Sequence, residues 1–153
     1  MVGENFAGNI IVNLASLPDF LREPILKKRM VEFFSLPEPE KREIIDNALK
    51  AGPTIPFPSF SRLFRTWLKI LAVLTEQQRG GLFSKYIIAV SQDPQKLVAF
   101  NLDGVLEIFL TLEEGERKIL SNTVKRIING LDENRKGMMM IVIPDNAKKH
   151  LGI

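Results

Sequence analysis

An aliphatic residue returns at every nineteenth position along most of this chain. Leu17, Leu36, Ile55, Leu74, Leu112 and Leu131 share one 19-residue grid, which only Asp93 and His150 break. Three longer stretches show the same self-similarity at twice that period: Phe33 to Lys41, Leu71 to Arg79 and Phe109 to Arg117. A chain with such a repeat must fold as a series of look-alike units, because the apolar face of one unit finds cover only against its neighbours.

The residues after each grid point say what the unit is. Pro18, Pro37, Pro56 and Pro94 follow by one place, with Thr75, Glu113 and Asp132 at the remaining points. Proline is excluded from a helix interior but suits the first turn, where its missing N–H has no partner to lose. Acidic residues come next, at Asp19, Glu38, Glu76, Glu114 and Glu133, where a carboxylate meets the positive end of the helix dipole. Thr75 with Gln78, and Thr111 with Glu114, have the spacing of a capping box. Each grid point therefore predicts a helix start.

The apolar face keeps the same period. One column reads Phe6, Ile25, Ile44, Leu63, Leu82, Asn101, Leu120, Met139, and the next reads Ala7, Leu26, Ile45, Phe64, Phe83, Leu102, Ser121, Met140. A third, four residues after the first, reads Ile10, Arg29, Ala48, Trp67, Tyr86, Val105, Val124, Ile143. Positions i, i+1 and i+4 share one side of a helix. The pattern predicts eight helices, near 5–16, 18–34, 37–51, 58–73, 76–91, 94–111, 114–130 and 132–143, with ends good to roughly 2–4 residues. The sixth carries a weak point at Asn101-Leu102-Asp103-Gly104. The methionine run from Met138 falls on the helical columns, so it is expected to be helical and to end at Pro144; the residues from Asp145 form a short docked or frayed tail.

Short helices joined by short turns pack antiparallel. The expected fold is all-α, an array of about eight short antiparallel helices with 19 residues per helix and 38 per hairpin. It resembles the helical-hairpin repeats, HEAT-like in class, with a period between the tetratricopeptide and the HEAT or armadillo lengths. The Leu-x-Glu-x-x-Arg helix start is also similar to those in the cytosolic helical domains of magnesium transporters and flagellar motor-switch proteins, from which no functional residue carries over. The expected organisation is one helical-repeat domain over 1–153, with residues 1–16 as an N-terminal capping helix, 17–130 as the repeat core and 131–153 as a C-terminal cap and tail.

Composition narrows the chemistry. The chain of 153 residues contains no cysteine, which removes disulfides, thiolate nucleophiles and cysteine-held metals. Walker, dinucleotide, nucleophile-elbow and His-Glu-x-x-His motifs are all absent. The single histidine, His150, stands near the C-terminus, where a solvated side chain is its ordinary role. The carboxylates gather at helix starts, which capping explains. Neither catalysis nor a cofactor or metal is expected. No cationic leader opens the sequence, Asn9 and Asn13 interrupt its first apolar stretch, and no run approaches the roughly 20 apolar residues of a membrane span. A cytoplasmic protein is the expectation.

Cations are the most ordered polar feature, although 21 Lys and Arg against 18 Asp and Glu leave a net charge of only +3. Lys41, Arg79 and Arg117 repeat at 38-residue spacing and would line one face of a stacked array. That face suits an acidic partner or a phosphate backbone. Glu38, Glu76 and Glu114, three residues earlier, offer local ion pairs worth about 0.2–0.5 kcal/mol each, and this local role has the stronger claim. Lys27 and Lys28, with Arg22 and Arg29, form a second cluster. Arg62, Arg65 and Lys69 form a third, interleaved with Phe60 and Trp67 as nucleic-acid platforms interleave cations and aromatics; a solvated face over a buried Trp67 has the stronger claim, since no stacking motif accompanies the cluster. Arg29 and Asn101 interrupt apolar columns, which snorkelling and a helix break account for. Ile55 and Phe57, between prolines, cap the core locally or anchor a partner.

The leading expectation is a non-catalytic protein-interaction module, self-association included, with the methionine-rich last helix as a pliable apolar contact. Nucleic-acid binding by the basic helix faces is the alternative, and a small-ligand or metal-binding helical protein comes third. Binding candidates are Lys27, Lys28, Lys41, Arg62, Arg65, Lys69, Arg79 and Arg117.

Overall fold

The computed structural model describes the backbone of residues 6–153 and the side chains from Ile10 onward. The column positions Phe6 and Ala7, Asn9 and the opening residues 1–5 lie outside the described side chains. The described chain is helical, with no strand. Its helices are α1 Phe6–Ala15, α2 Asp19–Phe33, α3 Glu38–Ala51, α4 Phe57–Val73, α5 Glu76–Gln92, α6 Gln95–Val98, α7 Leu102–Leu110, α8 Glu114–Asn129, α9 Glu133–Val142 and α10 Asp145–Leu151, with a short 3-10 turn at Gly52–Thr54.

Seven of these helices begin on the grid. Asp19, Glu38, Phe57, Glu76, Gln95, Glu114 and Glu133 are the first residues of α2, α3, α4, α5, α6, α8 and α9, each two places after a grid point. The residue before each helix is its N-cap, and five of those caps share one extended backbone: φ lies between −61 and −66° and ψ between 151 and 162° at Pro18, Pro37, Thr75, Glu113 and Asp132. Proline suits this place because its locked φ matches and its carbonyl still accepts the first helical bond, as Pro18 does from Arg22 N–H at 2.9 Å. Thr75 forms the expected box with Gln78, its hydroxyl accepting from Gln78 N–H at 3.1 Å. The box expected at Thr111 and Glu114 does not form. Thr111 ends α7, its hydroxyl donating to the Ile108 carbonyl at 2.6 Å, and the grid starts α8 later, with the Glu116 carboxylate accepting from Glu113 N–H at 3.1 Å.

One expected weak point opens into a break, and one element differs from expectation. The sixth helix is cut in two: α6 lasts one turn, and Asn101 caps a new helix by accepting from Gly104 N–H at 3.0 Å. This cap explains a polar residue in an apolar column. Pro94 enters α6 with ψ −21° instead of the extended value shared by Pro18, Pro37, Thr75, Glu113 and Asp132. The tail expected from Asp145 forms the helix α10, with Pro144 as N-cap and Gly152 ending it in the left-handed region at φ 75°, where glycine costs least.

The helices fall into two compact units, Met1–Ile70 and Leu71–Ile153, whose boundary lies inside α4. In the first unit α1 packs on α3 and α2, and the Gly52–Thr54 turn returns against α1. Leu14, Leu26, Met30, Phe33, Ile45, Leu49, Ile55 and Leu63 are buried there. In the second unit α5 packs on α8 and α9, and α8 receives α9 and α10; Leu82, Phe83, Ile87, Leu120, Ile128, Met139 and Ile143 are buried. Not every column residue is inside. Leu26 and Ile45 are buried while Ile25 is exposed; in α8 and α9 the preceding column, Leu120 and Met139, is buried instead. A rotation of one residue decides which column a helix turns inward, and only its neighbours set that rotation.

Two outcomes follow from this packing. A Cβ placed on Gly81, inside α5, meets nothing within 4 Å. Gly81→Ala therefore raises the denaturation midpoint, by about 0.5–1 kcal/mol of stability, because it removes backbone freedom from the unfolded chain at no steric cost. Burial pushes the Tyr86 phenol above its ordinary 10.0. The fold thus favours the neutral phenol, and the stability this carries is complete below about pH 10 and is lost as the pH climbs further. Tyr86 is the only tyrosine, so the near-ultraviolet phenolate band reads this group alone. The band should rise only together with loss of helical circular dichroism; titration near its ordinary value in an intact fold would show a solvated phenol.

Candidate interaction face

The repeated cations come first, because their position in the unit decides their task. Arg22, Arg79 and Arg117 are each the fourth residue of a helix, close to the positive end of that helix's dipole, where a cation alone is disfavoured. Each reaches backward to the carbonyl end of the preceding helix instead. Arg22 is only 1% exposed; its Nε donates to the Leu14 carbonyl at 3.0 Å, and its other nitrogens reach the Leu17 carbonyl and the Asp19 carboxylate. Arg79 Nη2 donates to the Leu74 carbonyl at 3.3 Å. Arg117 Nη1 donates to Leu112 O at 2.6 Å and to Leu110 O at 3.2 Å. Leu17, Leu74 and Leu112 are grid residues, so these guanidiniums answer carbonyls that each helix end leaves without a partner.

Lys41 sits at the equivalent place in α3, pairing with Glu38 at 3.6 Å and lying 5.8 Å from the Phe33 ring centre. The expected Glu76–Arg79 pair is replaced: Glu76 meets Arg126 of α8. Arg79 Nε is buried without a hydrogen-bond partner, which costs about 1–3 kcal/mol. The ordered cations are thus engaged at their own helix starts.

The third cluster is brought together. Arg62, Arg65 and Lys69, with Thr66, form one wall of a cleft of about 240 Å³ in the first unit, and Asp19 and Glu23 of α2 complete the lining. The aromatic partners expected beside these cations are elsewhere. Phe57, Phe60, Phe64 and Trp67 form a row with ring centres 6.2, 5.4 and 5.6 Å apart, and Phe60 is buried. At helical spacing the rings and the cations occupy opposite sides of α4. Their interleaving exists in the sequence alone. Ile55 is buried and Phe57 packs on Phe60, so these turn residues serve the local core.

Lys27 and Lys28 are exposed on α2, and Arg29 also reaches solvent, pairing with Glu32 at 3.6 Å. The side of α2 that they share is apolar. Arg22, Leu26, Met30 and Phe33 form the buried stripe, whereas Phe20, Leu21, Ile25 and Val31 are exposed, Phe20 by 75%. Pro24 stands on the same outward side, inside the helix, and has no N–H to give the Phe20 carbonyl four residues back. In the second unit, Met138 and Ile141 of α9 are exposed, Ile141 by 80%, while Met139 is buried.

The repeat marks both faces as unusual. Residues at the Phe20 position are Pro39, Pro58, Gln77, Lys96, Gly115 and Asn134 in the units between the chain ends, with Met1 and Ile153 at the ends; those at the Ile141 position are Gly8, Lys27, Asp46, Arg65, Ser84, Asp103 and Asn122. Between the chain ends, Phe20 is therefore a large apolar residue where the unit otherwise places polar or helix-bending ones, and so is Ile141. That comparison is available in the sequence and marks a side of α2 that the ordered cations do not.

Among the described residues no group of three or more acidic or histidine side chains could hold a metal ion, and no helix is long and apolar enough to cross a membrane. Comparison with protein-family models, curated proteins and solved structures finds no match.

The two buried arginines should respond differently to an apolar replacement. Arg22→Met strips two carbonyls and Asp19 of their donor and should cost about 3 kcal/mol in chemical denaturation. Arg79→Met loses one long hydrogen bond and relieves an unsatisfied Nε, so its cost should be near 1 kcal/mol or less. Equal losses would contradict the carbonyl-capping role.

Proposed function

We propose that this protein is a non-catalytic helical-repeat module, built of helical hairpins, that binds another protein through the outward face of α2. One observation carries this reading: Phe20, Leu21, Ile25 and Val31 are exposed together on a helix whose opposite side is fully engaged. Single exposed apolar residues are ordinary on a protein surface, whereas a contiguous set marks a contact. Between the chain ends no other unit has a large apolar residue at the Phe20 position, and Pro24 breaks the helix rule beside it. Departures from local consistency collect at functional surfaces. Lys27 and Lys28 add positive charge to that face without covering it.

Nucleic-acid binding receives less support from the geometry. A phosphate backbone is tracked by cations facing one way with bases stacked on aromatics. Here Arg22, Arg79 and Arg117 donate to carbonyls, Arg62, Arg65 and Lys69 share a cleft with two carboxylates, and the aromatic row faces the other side of α4.

The test is capture from the lysate of the source cells, after nuclease treatment, on immobilised full-length chain and on the Phe20→Glu/Val31→Glu variant. Both sites are exposed, so each substitution should shift stability by less than about 0.5 kcal/mol, which thermal melting checks. Proteins should be retained by the natural chain and lost by the variant. Retention of the same proteins by both, or loss of all bound material on nuclease treatment, would reject the α2 face.

A further inference from the structure

We infer that the protein seated on this face is a second copy of the same chain: two α2 helices lie antiparallel about a two-fold axis, with Phe20 of each packed on Val31 of the other. The inference rests on the protein-binding reading above and names the partner. Phe20, Pro24, Lys27 and Val31 follow one another at steps of four, three and four, the spacing of the seam by which one helix packs on another. All four are exposed, and Glu23, also exposed, flanks the stripe on the side of Lys27. Among the described residues, the side chain of neither Glu23 nor Lys27 has an ion pair or hydrogen bond. Glu23 borders the cleft below Arg62 without pairing there.

The stripe is its own complement when reversed. From its N-terminal end it reads apolar, acidic, basic, apolar: Phe20, Glu23, Lys27, Val31. Turned end for end about an axis near Ile25, Phe20 meets Val31 and Glu23 meets Lys27, and each contact occurs twice. A contact between identical copies requires such self-complementarity, whereas a surface made for an unrelated partner does not. Pro24 adds to the match. It withholds an N–H from the Phe20 carbonyl, which leaves an acceptor on the outward side. In the paired arrangement Lys27 of the second copy lies opposite Pro24 and can donate to that carbonyl as well as to Glu23. An acidic segment or an anionic lipid surface would engage Lys27 but bring like charge against Glu23. Lys28, on the other flank, can cover Leu21 of the second copy with its stem while its ammonium stays in water. A helix of 15 residues is roughly 22 Å long, so the contact is small and reversible, with a dissociation constant of about micromolar order.

Sedimentation equilibrium of the full chain, from about 1 μM to about 1 mM, should show a reversible monomer–dimer equilibrium. Phe20→Glu/Val31→Glu should weaken it about tenfold or more, and circular dichroism with melting curves confirms that each variant folds. Glu23→Lys and Lys27→Glu, each alone, should weaken self-association about fivefold, because two attractions become repulsions. An equimolar mixture of these two variants should dimerise at least as tightly as the natural chain, since both contacts across the axis are then opposite in charge. Glu23 and Lys27 are also four residues apart on one helix, and mixing leaves that local pair unrepaired. Rescue on mixing therefore reads the contact between chains. The inference is overturned by a monomer at every concentration, by a dimer indifferent to Phe20→Glu/Val31→Glu, or by mixing without rescue. A monomer whose capture of other proteins is still lost on Phe20→Glu/Val31→Glu would reject the second copy and leave the α2 face standing. Self-association and capture both indifferent to those substitutions would reject the face itself.

Discussion

A helix leaves four carbonyls unanswered at its end, and this chain meets that need with a side chain from the helix that follows. Arg22, Arg79 and Arg117 turn back from the first turn of α2, α5 and α8 to the carbonyls of Leu14 and Leu17, of Leu74, and of Leu110 and Leu112. The arrangement explains a cation placed at the unfavourable end of its own dipole: its donors serve the negative end of the helix before it. Short connections follow, since a guanidinium spans only a few residues of chain. Val98 occupies the corresponding place in α6, and there the helix lasts a single turn.

That structural use of charge changes the meaning of the basic residues. A periodic cation looks like a binding ladder when its neighbours are unknown. Once its donors are committed to backbone carbonyls, it contributes to the geometry of a connection and little to an outside field. Arg62, Arg65 and Lys69 differ, because they lie midway along α4 instead of at a helix start, and because α2 brings Asp19 and Glu23 to face them. The proposed interaction surface is what the helix ends leave over: the apolar side of α2.

Much of the helical architecture was legible from the sequence. The start of α2, α3, α5, α8 and α9 could be placed within a residue or two, because an N-cap and the acids after it act over four positions. The Asn101 break was legible for the same reason. The second box at Thr111 was misplaced because hydroxyl-to-carbonyl bonding at a helix end competes with capping at the next start. The candidate site was only partly legible. The cations of the cleft stood out as a cluster on one helix, but their acidic counterparts are more than thirty positions away, and no local rule joins Glu23 to Arg62. The exposure of Phe20 is not written in any local pattern, because it depends on which side of α2 the rest of the first unit covers.

The sequence by itself determined where helices begin, which residues cap them and that a 19-residue unit recurs, since these are settled by bonds reaching a turn or less along the chain. The tertiary structure decided which apolar column each helix buries, sending Leu26 and Ile45 inward and Ile25 outward. It also decided that cations and aromatics on α4 face apart, and that Asp19 and Glu23 enter the arginine cleft. Burial is a relation between distant segments: a helix can be rotated by one residue without changing any of its own hydrogen bonds, and only the surfaces packed against it choose among those rotations.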